Sequence, residues 1–276
     1  MIINNIIDIW LPLAEKAPGM AAKTRTKLDE ATAATTRGQA MEHVVAAIVV
    51  QLEEDIVLGF VHLRERLVED ALMERFAAKR YAVREALARL ARLGLVERLP
   101  NRGALVRALT PDEVDEIYFV RELLEAAAAR EVVRRASPAL IAGLKQIQRR
   151  HDRATRDGDP RTAFRANIDF HRAFFAACTN QELVETIEQF AQKARGVRSI
   201  VIAHREYLDR ARSEHWAILE ALEKRDHSKL LATCRDHIHV ARHAYIDSYR
   251  RRFPAPPAGA APNPVRATTA SASKRK

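Results

Sequence analysis

The sequence predicts a mainly α-helical protein built in two blocks, with a small β-hairpin closing the first, and three observations carry that prediction. Helix formers dominate the 276 residues, Gly and Pro number only 9 and 11, and aromatics make up 6%. Residues 41–108 show three helical periodicities followed by two short strand patterns, whereas residues 110–252 show helical periodicity alone. Between the blocks lies Leu109-Thr110-Pro111-Asp112. There Thr110 can cap a helix, with Pro111 at its first position and Glu113 completing a capping box.

The ends read differently. Residues 1–40 mix a short apolar patch with an Ala/Thr/Lys segment of no sustained period, and they are expected to form a flexible extension. Residues 253–276 are rich in Pro, Ala and Ser and lack the apolar content to offset chain entropy, so a disordered basic tail is expected. That tail matters for reading charge. Residues 250–276 hold seven Lys/Arg and no acid, which accounts for most of the net +10. Total charge is therefore poor evidence for a nucleic-acid partner, and local charge is better evidence. Residues 75–107 carry nine Lys/Arg against only Glu85 and Glu97, while residues 41–74 are net acidic.

In the first block a helix is expected from residue 42 to Gly59, a shorter one at 68–76 and a third at 80–93, with Ala77-Ala78-Lys79 between the last two. In the third, Val83, Ala86, Leu87 and Leu90 recur at i, i+3, i+4, i+7, the spacing of a core-facing stripe, and Arg80 and Arg84 flank it. Two helices joined by a short turn, the second opening with cations, form a helix-turn-helix, which lays its second helix in the DNA major groove. After Gly94, LVERL, Pro100-Asn101-Arg102-Gly103 and ALVRAL read as a hairpin wing with a basic tip. The same residues also fit a helix-hairpin packing unit whose arginines are merely solvated.

The run LVEDALMERFAAKRYAVREALARLARLGLVERLPNRGALV resembles the winged helix-turn-helix of the GntR family, most specifically in VREALARL, GLV and PNRGALV. That resemblance implies a double-stranded DNA operator as partner. It implies DNA contacts from Arg80 and Arg84, backbone contacts from Lys79 and Tyr81, and a wing-tip role for Arg102 and Gly103. The chain departs from the pattern where Leu63-Arg64 replaces a usual Pro-Gly, where Ala77-Ala78 replaces Gly-Val, and at Asp70, a position often basic in one subgroup.

The second block divides into six helical segments, with breaks near 136–138, 157–160, 179–180, 203–204 and 226–227, and is expected to form an antiparallel bundle. Three segments carry a polar residue inside an apolar stripe. Phe164, Asn167, His171, Phe174 and Phe175 share one face; Leu208, Ala211, His215, Ile218 and Leu222 share another; Leu230, Cys234, His237, Ala241 and Ala244 share a third. His237 is thus expected to point inward and His239, beside Arg235 and Arg242, outward. Imidazoles projecting inward from several helices of one bundle suit Zn²⁺ or another first-row divalent ion. Each histidine alone equally fits a satisfied core or surface residue.

The segments VRELLEAAAAR, NIDFHRAFFAACTNQEL and EHWAILEALEKRD, with the closing His237, resemble the all-helical FCD ligand-binding domain of the FadR-like branch of that family. Six helices would match its smaller VanR-like subgroup. The resemblance implies a divalent metal, Zn²⁺ first with Ni²⁺ or Mn²⁺ as alternatives, held by Asn167, His171, His215 and His237. It also implies a small organic acid as effector and a homodimer. Asn167 stands where many relatives have Asp. Arg121 resembles a position lining the effector pocket, and it fits a plain i, i+4 ion pair with Glu125 as well.

Other classes are constrained. No stretch of eighteen apolar residues occurs, so no membrane span is expected. The start lacks the basic region of a secretory signal, and cytoplasmic residence is expected. Cys178 and Cys234 give no disulfide framework. Catalysis is not expected, because no inward general base or Glu-x-x-His pair is evident. A metal-dependent helical enzyme and a ligand-independent structural DNA-binding protein are the alternatives to a regulator.

Overall fold

The computed structural model describes residues 18–100, 102–198 and 205–254, with side chains from Gly38 onward. The chain divides into two compact units, residues 1–108 and 109–276.

The first unit begins with α1 (Pro18–Val57), followed by β1 (Arg66–Leu67), α2 (Glu69–Phe76), α3 (Arg80–Arg92), β2 (Val96–Leu99) and β3 (Gly103–Val106). Helix α1 starts well before the expected residue 42, at Pro18. In residues 21–39 the strong helix formers Ala, Lys, Arg, Leu, Glu and Gln outnumber the five Thr, and no internal Pro stops the ladder. Of the expected extension, residues 1–17 lie outside the described residues, as do residues 255–276 of the expected tail. The core is the meeting of one face of α1 (Val45, Ile48, Leu52, Ile56) with Val83, Ala86, Leu87 and Leu90 of α3, all buried. Arg89 fastens the two helices at the rim through both oxygens of Glu42, at 2.5 and 2.7 Å.

The sheet has three strands rather than two, in the order β1-β3-β2, antiparallel throughout. The unexpected strand is only Arg66–Leu67, paired with Leu105 and Ala104. Gly103 explains how that strand approaches. It takes φ +88, and a Cβ placed there would lie 2.0 Å from the Leu67 carbonyl oxygen, so only glycine lets β1 close on β3.

Ala77 caps α2 in the left-handed conformation (φ 47, ψ 39). A Cβ there costs roughly 1–2 kcal/mol, of which unfolded-chain entropy takes back a part when Gly replaces Ala. Ala77→Gly is therefore expected to stabilise the first unit by about 0.5–1 kcal/mol, a rise of about 2–6 °C in its melting temperature. A lower melting temperature would mean that the Ala77 methyl packs.

The second unit contains α4 (Pro111–Arg135), α5 (Pro138–Asp157), α6 (Pro160–Phe175), α7 (Gln181–Lys193), a 3₁₀ turn (Arg195–Val197), α8 (Arg205–Lys224) and α9 (His227–Arg252). Most starts are written in the sequence. Thr110 and Glu113 close the expected capping box, and Ser137, Asp159, Asn180 and Asp226 each accept a hydrogen bond from a first-turn amide. The fourth segment stops earlier than expected, at Lys193, and the break expected at 203–204 lies outside the described residues. The apolar core is formed by Ala128, Val132, Leu144, Phe170, Phe174, Ile218, Leu219, Leu222 and Leu230. At the other end of the bundle the Tyr245 hydroxyl of α9 donates to the Leu109 carbonyl at 3.0 Å. Among the described residues no helix is long and apolar enough to cross a membrane.

Candidate metal centre and nucleic-acid interface

In the second unit His171 of α6, His215 of α8 and His237 of α9 come together, with one nitrogen of each lying within 4.8 Å of the others. His171 Nε2 and His237 Nε2 are 3.2 Å apart. The surroundings fix which nitrogens carry protons. His215 is fully buried, stacked on Phe170 at 4.2 Å between ring centroids. Gln148 Nε2 donates to Asp152 at 2.8 Å, which turns its Oε1 toward His215 Nδ1 at 2.7 Å. Asp152 is itself held by the Trp216 indole N–H at 3.0 Å. His215 Nδ1–H must therefore donate, and Nε2 keeps its lone pair. That Nε2 is buried with no hydrogen-bond partner. His237 follows the same logic, its Nδ1–H donating to Glu214 at 2.8 Å.

Burial, and then the neighbouring His237, hold the pKa values of His171 and His215 well below the usual histidine range. Both rings are thus neutral, the form in which imidazole ligates. Two lone pairs, each oriented by a hydrogen bond at the far ring nitrogen, a third neutral imidazole beside them and one orphaned buried acceptor fit a divalent ion. Imidazole donors favour Zn²⁺ or Ni²⁺ over the oxygen-seeking Mn²⁺.

Two cavities flank the trio. A smaller one, about 80 Å³, is lined by Asn167, His237, His151, Glu214 and Tyr207, and a larger one, about 230 Å³, by His171, Phe175, Ile187 and Arg195. Asn167, partly buried, sits one turn before His171 and lines the smaller cavity together with His237. Arg121 and Arg198 line both cavities. Arg121 is 5% exposed and pairs with Glu125 at 2.8 Å, so ion pair and cavity wall are one arrangement. Burial opposes its charge, and Glu125 more than offsets that, raising its pKa.

His239 does not point outward into solvent. Its Nε2 lies 3.0 Å from Glu122 of α4, and Arg242 pairs with Asp115 of the same helix at 2.7 Å, because α4 covers that side of α9. Sequence reasoning missed Gln148, His151 and Arg198. His151 is buried, 5.6 Å from the His215 ring, with Nδ1 unpartnered. Gln148 and His151 sit with Leu144 at i, i+4, i+7 on the buried face of α5, the signal that had pointed to the other histidines. Arg198 follows the 3₁₀ turn and has no periodic signal.

In the first unit, α3 buries Ala82, Val83, Ala86, Leu87 and Leu90 and leaves Arg80, Tyr81 and Arg84 exposed, with Lys79 just before them. Both arginines are tied back to α2. Arg84 Nε donates to both oxygens of Glu69, at 2.9 and 3.1 Å, and Arg80 reaches Asp70 at 2.6 Å and Glu69 at 3.3 Å. Arg102 is exposed at the wing tip, where its carbonyl accepts from Arg66 Nε at 3.1 Å. Gly103 is buried beside it, its bare Cα accounted for by strand packing.

A winged helix-turn-helix unit followed by a separate helical bundle is the architecture of a two-domain DNA-binding regulator. The comparisons agree: residues 45–106 match the model for bacterial regulatory proteins of the gntR family, and residues 116–240 match the FCD domain. The chain belongs to the GntR family, with an FCD domain in its second unit. It is 27% identical over 175 residues to the HTH-type transcriptional repressor RspR of Escherichia coli K12, covering 63% of this chain and 77% of that one. It is 27% identical over 177 residues to the HTH-type regulator YdhC of Bacillus subtilis, covering 64% and 79%. Its fold is similar to that of E. coli McbR/YncC, with a TM-score of 0.64 at 21% identity over 75% of this chain and 98% of the other. A putative GntR regulator from Rhodococcus sp. RHA1 gives 0.62 at 21% identity over 75% and 99%. The family and these relatives are transcriptional regulators, not enzymes.

Proposed function

We propose that this regulator senses a small carboxylate through a divalent ion held by His171, His215 and His237 with Asn167, and that it binds a pseudo-palindromic operator as a cytoplasmic homodimer. The orphaned Nε2 of buried His215, aimed at two further imidazoles, is the observation that carries the sensing half. When bound, the ion would supply Lewis-acid capture of a carboxylate. The chain's own residues do the rest. Gln148 and Glu214 orient the rings, Phe170 excludes water behind His215, and Arg121 offers a guanidinium beside the trio. In the first unit, Arg80 and Arg84 reach base edges, Lys79, Tyr81 and the wing tip at Arg102 meet the backbone, and residues 41–108 act as the reader.

Dimerisation is supported by Phe119 and Leu123, which lie four residues apart on α4 and stay 65% and 58% exposed. A two-fold pair would place two α3 helices on half-sites about one DNA turn apart. The test is to recover the operator by genome-wide footprinting of the full chain, then titrate it with zinc-loaded and metal-stripped protein in the presence of short carboxylates. Acid should shift operator affinity by about 5–150-fold with metal and not without it. The same shift in both forms would refute the metal-dependent reading.

A further inference from the structure

The larger cavity is built for charge as well as bulk. Arg121, Arg172, Arg195 and Arg198 line it, against Glu125, Glu185 and Glu188. Glu125 is taken by Arg121, and Glu188 is shared by Arg172 at 2.6 Å and Arg195 at 3.0 Å. Glu185 lies exposed at the rim. Arg198 forms no ion pair among the described residues. One guanidinium is thus left in excess where water is scarce, and an anion is its natural complement. Burial, reinforced by Arg198, brings the Arg195 pKa down to about 10, and burial with Arg121 lowers that of Arg198, so these cations strain against one another. The remaining wall, Ile168, Phe175, Val184 and Ile187, is apolar. His171 opens onto this cavity and His237 onto the smaller one, so the larger of the two offers the more room beside the trio.

We propose that the effector carries two anionic groups joined by a short hydrocarbon stretch, one acid at the histidine trio and the second, a carboxylate or a phosphoryl group, against Arg195 and Arg198. The inference rests on the carboxylate-sensing reading above. The apolar wall then receives the linker, and the second anion neutralises the excess guanidinium. Selectivity follows, because a monoacid leaves that cation desolvated and unpaired.

The test is calorimetry on the zinc-loaded full chain with butyrate, succinate, glutarate, adipate and 3-phosphonopropionate. At least one two-anion compound should bind 10-fold or more tighter than butyrate, with the ranking of glutarate and 3-phosphonopropionate reporting which second group is preferred. Arg195→Gln and Arg198→Gln, each checked by thermal melting, should erase that advantage. Equal binding of mono- and dianions overturns the proposal and leaves carboxylate sensing standing, as does an advantage that survives both substitutions. If no acid binds at all, the sensing reading itself falls.

Discussion

Replacing His215 with alanine is expected to abolish tight metal binding. Wild-type protein should keep about one divalent ion per chain through dialysis, and the variant should fall to background. The physical reason is ligand count. Two imidazoles remain from a trio whose third member is fully buried and pre-oriented by Gln148, and even loss of an outer-shell partner typically costs 10–100-fold in affinity. Because the substitution also leaves a hole against Phe170, Gln148→Ala gives an independent reading. It spares all three rings, frees the His215 tautomer, and should weaken metal binding by about 10–100-fold. Elemental analysis and competition with a chelator measure both. Equal metal content in wild type and His215→Ala would remove the ligand assignment.

The second large effect concerns α3. Arg84→Ala is expected to weaken operator binding by about 1–3 kcal/mol, the range for losing a base-reading arginine. If Arg84 meets a phosphate instead, affinity falls evenly across sequences and the salt slope drops by about one. The carboxylate of Glu69, which accepts from Arg84 at 2.9 and 3.1 Å, sharpens the expectation. It positions the guanidinium while adding negative charge near the phosphates. Glu69→Gln should therefore raise non-specific affinity and lower the ratio of specific to non-specific binding, as read by mobility shift on operator and scrambled duplexes. Unchanged operator affinity in Arg84→Ala would sink the assignment of α3 as the reading helix.

Much of this arrangement was legible in the residues, for reasons that also explain the gaps. The convergence of His171, His215 and His237 follows from one-face spacing on three helices, and the capping box at Thr110 follows from residue type. The same spacing on α5 exposes Gln148 and His151 once polar residues in a buried stripe are sought on every helix. His239 shows where periodicity runs out. Two residues from His237, it does lie on a different face of α9, but periodicity carries no information that α4 covers that face and offers Glu122. Strand β1, two residues long, is shorter than any alternation pattern and exists only because β3 has an edge to pair. The first half of α1 lacks an apolar stripe, so periodicity is silent there and only its helix-forming residue types favour the helix. Ala77 shows the reverse. A departure from the family pattern left the backbone in the conformation a glycine would have taken.

The hydrogen bond from Tyr245 to Leu109 gives α9 a mechanical character. Eight residues separate His237 from Tyr245, about 12 Å along a stiff rod. At one station the rod presents an imidazole to the cavity, and at the other it grips the carbonyl of the residue just before the Thr110 cap. Ring and tether belong to one lever, so a tilt of α9 at either station is felt at the other.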